Sequence, residues 1–198
     1  MSDKALRRRI STMERLDGLP FEAYQHHWAG PHVPIVAGLP GVIRYLQHRI
    51  VGERPPGIDG ISEVLFETAP GAPTNTHFSA EQVADELAFV SAVTAMPILE
   101  TTSLEAPVIL WILLDGEPEF TVPAELGVAI NHRDLALPIM TRSHLRTDPA
   151  PPSVLVAAGF TSEERALAAS TALRESSPAR ILVTRTVEVF NATTRHAL

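Results

Sequence analysis

Three residues in the first quarter of the chain have the types and spacing to do chemistry: His32, Tyr45 and Gln47. An unperturbed imidazole titrates near neutrality, so His32 suits proton transfer as a general acid or base. Tyr45 and Gln47 lie two apart in Val42 to Val51, a run that reads as a strand. Side chains alternate faces along a strand, so these two must project together. Tyr45 would orient or polarise a substrate oxygen, and Gln47 would donate or accept a hydrogen bond. Ile43 and Arg49 share their face and join them as candidate substrate contacts. So does Glu63, which falls at the parity of Ile61 and Leu65; it could be a buried acid or could face solvent at a strand edge. The structural alternative for His32 is that it caps the kinked helix end at Gly30-Pro31.

Two other groupings invite a chemical reading. His26, His27, His32 and His48 could bind a metal, but His27 and His32 are five apart across the kink. No His-x-x-x-His pair shares a helical face, and His48 lies on the strand face opposite Tyr45. Exposed histidines are the expectation, with no metal site. Phe21, Tyr24 and Trp28 recur at i, i+3 and i+7, one face of a helix. That face packs against a sheet or lines an aromatic pocket, and Trp28 is kept as a candidate substrate contact.

The elements that must position these residues follow from pattern. Ile10 to Met13 reads as a first strand, and Arg7-Arg8-Arg9 as its solvated end. A helix opens near Pro20, a further turn runs from Val33 to Gly38, and Val42 to Val51 and Ile61 to Glu67 follow as strands. A Pro/Gly/Thr/Asn loop covers Ala69 to Thr76. Ser79-Ala80-Glu81-Gln82 is a capping box, with Gln82 reaching back. It opens a helix to about Phe89 whose core side is Val83, Leu87 and Val90; Asp85 and Glu86 face solvent or pair with arginines. Ala92 to Thr102 is a fourth strand. The order β-α-β-β-α-β is the ferredoxin-like split unit. The second half repeats it with an eroded first helix: strands at Pro107–Leu114, Pro138–Arg146, Val154–Ala158 and Arg180–Phe190, an irregular stretch at Glu117–Asp134, and a helix to about Glu175 opened by Thr161-Ser162-Glu163-Glu164. The expected fold is therefore α+β, with tandem ferredoxin-like halves, 1–104 and 105–198, whose antiparallel sheets pair as an α/β barrel. A ferredoxin-like sheet has one bare face, and two such faces would cover each other around a cavity. The barrel closes within the chain or between chains, and a homodimer fits either case.

The first half also carries ordered motifs. Trp28-x-x-x-His32 is followed by Leu39-Pro40-Gly41, then by Tyr45 and Gln47 two apart, then by Asp59-Gly60-Ile61-Ser62-Glu63-Val64, then by Asp85-Glu86 with Phe89. Residues 8 to 102 thereby resemble the EthD-like family of dimeric α/β-barrel proteins. The resemblance implies a small-molecule cavity but does not fix the chemistry, since relatives include cofactor-free isomerases, lyase-like and oxygenase-like enzymes, and proteins of unproven activity. It does not extend to the second half, which has neither Trp-x-x-x-His nor Leu-Pro-Gly.

Composition bounds the rest. The chain has 198 residues, 45% of them hydrophobic and 20% charged, which is globular composition. A formal charge of −7 argues against a nucleic-acid partner. Cysteine is absent, which removes disulfides and thiolate chemistry. The apolar run Val108 to Leu114 is too short to span a bilayer, and no signal peptide is expected, so the expectation is a cytoplasmic protein with a small-molecule ligand. No phosphate loop, nucleophile elbow or dinucleotide fingerprint is present, and no cofactor is expected. The leading function is an enzyme moving a proton on a small hydrophobic oxygenated compound. The rivals are a non-catalytic small-molecule binding or accessory protein, and an assembly module with a filled barrel.

Overall fold

Alternating, β-branched segments draw eight strands of the chain into one sheet. The computed structural model describes residues 5–68, 78–177 and 179–192; the loop expected at Ala69 to Thr76 lies outside them. The elements are β1 (Ala5–Arg15), α1 (Phe21–Ala29), α2 (His32–Ala37), β2 (Val42–Val51), β3 (Gly60–Thr68), α3 (Ala80–Phe89), β4 (Val90–Ile98), β5 (Val108–Leu114), β6 (Val128–His132), β7 (Val154–Phe160), α4 (Glu163–Ser176) and β8 (Arg180–Asn191). The strand order is β4-β1-β3-β2-β8-β5-β7-β6, and neighbours pair antiparallel. Each half has the same internal order, β4-β1-β3-β2 and β8-β5-β7-β6. The halves join where β2 pairs with β8, from Arg44↔Asn191 to Val51↔Val183.

The curled sheet closes on itself within one chain. Residues 132–146 run along β4, with Leu99 N–H donating to the His132 carbonyl (2.9 Å), Asp134 N–H to Pro97 (2.9 Å) and Met140 N–H to Ala95 (3.0 Å). Inside the ring, Ile10, Ile61 and Met96 from the first half pack with Trp111, Leu155 and Leu182 from the second. The cavity expected between the two sheets is therefore filled by side chains. The helices lie outside. Tyr24, Trp28 and Phe89 pack on the first half's outer face against Met13, Val93 and Ala95. In the second half α4 covers Val108, Val156 and Val183, and Phe120 and Val122 pack where a first helix would lie.

Four expectations are corrected. The first strand extends well beyond Ile10–Met13, and Arg8 is not at a solvated end but buried at 2% exposure. The strand expected at Pro138–Arg146 touches β4 only through bridges at Met140 and Arg146; the second half's own strand there is β6, at Val128–His132. Leu87 is 48% exposed, and α3 buries Gln82, Glu86 and Phe89 instead. Finally, Ser79 does cap α3, accepting from Gln82 N–H at 3.0 Å, but the Gln82 side chain does not reach back. It donates to Glu86 Oε1 at 3.0 Å.

Two glycines are fixed by close approach. Gly41 has φ +80°, and a Cβ there would lie 2.3 Å from the Glu67 carbonyl oxygen, so the turn of Leu39-Pro40-Gly41 admits only glycine. At Gly60 a Cβ would meet the Trp28 ring at 2.6 Å and the Tyr24 hydroxyl at 2.8 Å. Here α1 lies directly on the β3 backbone. Gly60→Ala is expected to overpack this contact and cost about 1–3 kcal/mol, measured by chemical denaturation. An unchanged midpoint would show that α1 shifts freely on the sheet.

Candidate functional site

The candidate site is a crevice on the outer face of the first half, between the sheet and helices α2 and α3. His32 from α2 and Tyr45 from β2 both line it, together with Arg9, Gln82, Glu86 and Arg142 and an apolar wall that includes Val36, Val64, Phe89 and Val93. Its free volume is about 30 Å³, room for roughly one water. A larger ligand needs α2 or α3 to move.

His32 sits at the start of α2, just after the break between α1 and α2 at Gly30-Pro31. Its Nδ1 lies 2.6 Å from Asp85 Oδ2, and the ring tilts against Phe89 at 4.9 Å between centroids. His32 is 6% exposed. His27 approaches the other oxygen, with Nε2 at 2.7 Å from Asp85 Oδ1. Burial pushes the Asp85 carboxyl up, but the hydrogen bonds from His32 and His27 outweigh it and hold the group below its ordinary value. An ionised carboxylate only accepts, so each imidazole presents an N–H to it. That assigns the Nδ1–H tautomer to neutral His32 and leaves Nε2 as its basic nitrogen. His32 thus bonds a carboxylate, rather than capping the helix end.

Tyr45 is held differently. Its hydroxyl oxygen accepts from Trp28 Nε1 (2.9 Å) and from Gln47 Nε2 (3.2 Å). Gln47 Nε2 also donates to the Trp28 carbonyl at 2.6 Å, and Gln47 Oε1 accepts from Arg49 at 2.9 Å. Burial raises the Tyr45 phenol to about 12, with the Gln47 and Trp28 hydrogen bonds pulling it down. It therefore stays protonated at neutral pH, with its own O–H left as a donor. Trp28 and Gln47 are fully buried behind Tyr45, and neither they nor Arg49 line the crevice. Trp28 and Tyr24 belong to the core, the packing alternative named for that helix face.

The other sequence candidates lie elsewhere. Ile43 is the extra residue of a β-bulge between Val42 and Arg44 in the pairing with β3, which breaks the alternation that grouped it with Tyr45. Glu63 is a buried acid but points the opposite way, into the barrel, where it pairs with Arg8 at 2.9 Å. His48 accompanies it, 3.5 Å from Glu63 and fully buried. The histidines are thus not an exposed set: His32 and His48 are buried on opposite faces of the sheet. Among the described residues no group of three ligating side chains could hold a metal ion.

Sequence reasoning missed Arg9, Gln82, Glu86 and Arg142 as site residues. Glu86 Oε1 accepts from Arg142 Nε (2.9 Å) and Gln82 Nε2 (3.0 Å), and its Oε2 lies 2.7 Å from His144 Nε2. The available signal was the i, i+4 spacing of Gln82 and Glu86 in α3, one helical face. Gln82 is instead accounted for by the capping box, and Glu86 by solvent or an arginine; the structure gives it the arginine, Arg142.

No family model matches the sequence, and no curated protein matches it. Among solved structures, a chlorite dismutase-like protein aligns at 12% identity over 92% of this chain and 94% of its own, with a TM-score of 0.47. An anthrone oxidase-like protein aligns at 10% identity over 97% of both chains, with a TM-score of 0.45. Neither likeness is close enough to bear on the site. The fold rests on strand order and register: this is an α+β chain whose two ferredoxin-like halves close one α/β barrel.

Proposed function

We propose that this chain is an EthD-like protein and a cofactor-independent enzyme that moves a proton on a small hydrophobic oxygenated compound. The observation that carries the reading is the buried His32–Asp85 pair beside a crevice that Tyr45 also lines. His32 Nε2 would take the proton, and Asp85 would orient the ring and stabilise the imidazolium. The Tyr45 O–H would donate to the substrate oxygen on which charge develops. The motif order from Trp28 to Phe89 supports the family reading. On this reading the chemistry would lie outside the barrel, since the interior expected to hold it is packed.

The test is a turnover screen of the purified protein against enolisable ketones, lactones and phenolic compounds, followed by mass spectrometry. Conversion of one of them, lost in His32→Gln, is the expected result. Equal conversion by both proteins overturns the reading.

One observation favours a second reading, a binding or accessory protein. The crevice as it stands admits only a water-sized group, and the Tyr45 hydroxyl is locked by two donors. A small molecule that co-purifies with the protein and is released unchanged would support it.

A further inference from the structure

Helix α3 turns polar residues inward and leaves Leu87 outside. The buried charges this brings together do not balance. Glu86 is 3% exposed at its side chain, Arg142 8%. Glu86 is saturated, since Arg142, Gln82 and His144 all approach its two oxygens. Arg142 spends only Nε on it. The Arg142 Nη1 atom is buried without a hydrogen-bond partner, and so is Gln82 Oε1. A second guanidinium, Arg9, lines the same crevice from β1. Among the described residues Arg9 makes no ion pair; its Nη1 donates to the Met140 sulfur at 3.2 Å and its guanidinium lies over the Phe66 ring at 5.5 Å. Burial and the neighbouring Arg142 charge pull the Arg9 pKa down to about 10, with Glu86 opposing. Asp85, next to Glu86 in the chain, is engaged by His32 and His27.

A buried, unpaired guanidinium N–H is costly to leave unsatisfied, and a second cation beside it adds repulsion. We propose that the crevice, widened by a shift of α2 or α3, is the binding site of a small organic acid, whose carboxylate occupies the space between Arg142 and Arg9. The apolar wall of Val36, Val64, Phe89 and Val93 would take the acid's hydrocarbon part. Gln82 Oε1, an acceptor without a donor, would receive a hydroxyl of the ligand or a bridging water. The apolar wall also argues against inorganic phosphate, which has no apolar part to place there. This inference deepens the proposed function by naming its substrate class and rests on that reading for the chemistry, but the binding claim stands apart from turnover.

The experiment is isothermal titration of the intact protein with acetate and benzoate, against acetamide and benzamide as neutral counterparts of the same shape. The acids are expected to bind at least about tenfold more tightly than their amides, as a charge-assisted contact implies. Arg9→Gln, which leaves every partner of Glu86 in place, should remove most of that preference. Arg142→Gln should do the same if circular dichroism shows it folded. The titration reads binding without turnover, so acid binding by a protein that converts nothing in the turnover screen separates this inference from the catalytic one. Equal binding of acids and amides, no saturable binding of either acid at millimolar concentration, or phosphate binding as tightly as benzoate would each overturn it.

Discussion

His32→Ala is expected to lower kcat by about 10²- to 10⁴-fold on the substrate identified for the protein, the usual worth of a positioned general acid or base. The expectation comes from geometry. The imidazole is fixed on one side by Asp85 at 2.6 Å and on another by the Phe89 ring, so its orientation is set before a substrate arrives. With Nδ1–H committed to the carboxylate, Nε2 is the nitrogen that exchanges the proton. Asp85→Asn keeps the shape but removes the charge and replaces one acceptor oxygen of the carboxylate with a donor. Asp85 acts through His32 and is a positioning residue. Its replacement is expected to lower kcat with KM little changed, and Asp85→Glu to restore part of the loss, because the ring loses the carboxylate that orients it. His32→Gln separates loss of the base from loss of volume. A kcat within twofold of wild type in both His32 variants would end the catalytic assignment, while a raised KM at constant kcat would mark His32 as a binding group alone.

Much of the fold was legible because most elements obey local rules. β2 was readable at its observed limits from alternation, and the start of α4 from the capping box Thr161-Ser162-Glu163-Glu164. The residue that caps is Ser162, which accepts from Arg165 N–H at 3.4 Å, one place later than the box puts it. The element order anticipated the strand order of the first half; in the second, the strand beside β7 is β6 at Val128–His132 and not the stretch Pro138–Arg146. What was not legible came from long-range pairing. Arg8 looked like part of a solvated basic cluster because only the folded chain brings Glu63 and Asn131, 55 and 123 residues away, against it. In the same way α3 was assigned the wrong buried face. Its Gln82 and Glu86 are inside because Arg142 and His144 arrive from the far half of the chain, and no property of the helix alone announces them. Tyr45 and Gln47 were rightly paired by parity, but parity does not say which face is the inside of the barrel. Two departures from local consistency, a polar buried helix face and an irregular partner segment, coincide at the crevice. Such violations concentrate where a protein serves a function beyond stability.

Arg8→Met is expected to destabilise the protein by about 3–5 kcal/mol, the typical cost of leaving one member of a buried ion pair without the other. Arg8 and Glu63 meet inside the barrel at 2.9 Å, with side-chain exposures of 1% and 3%. Arg8 also donates to Asn131 Oδ1 at 2.6 Å, and Asn131 Nδ2 donates to the Leu155 carbonyl at 2.8 Å. Ser103 donates to the other oxygen of Glu63. The cluster therefore ties β1 and β3 of the first half to β6 and β7 of the second across the packed interior. Removing Arg8 strands a carboxylate there. Burial pushes the Glu63 carboxyl up, but its contacts with His48 and Arg8 prevail and hold it at about 2. Because this folded value is depressed, the ionised pair contributes its full stability above the ordinary carboxylate range. The contribution fades as pH falls from about 4.5 towards about 2. The double variant Arg8→Met with Glu63→Leu removes both charges and is expected to recover most of the loss, since apolar replacements of buried pairs are often neutral. Urea denaturation of the wild type and both variants near neutral pH measures this, and a wild-type series down to pH 3 follows the acid limb. A cost below about 1 kcal/mol for Arg8→Met, the range of exposed pairs, would mean that water reaches Glu63 and the barrel interior is not closed.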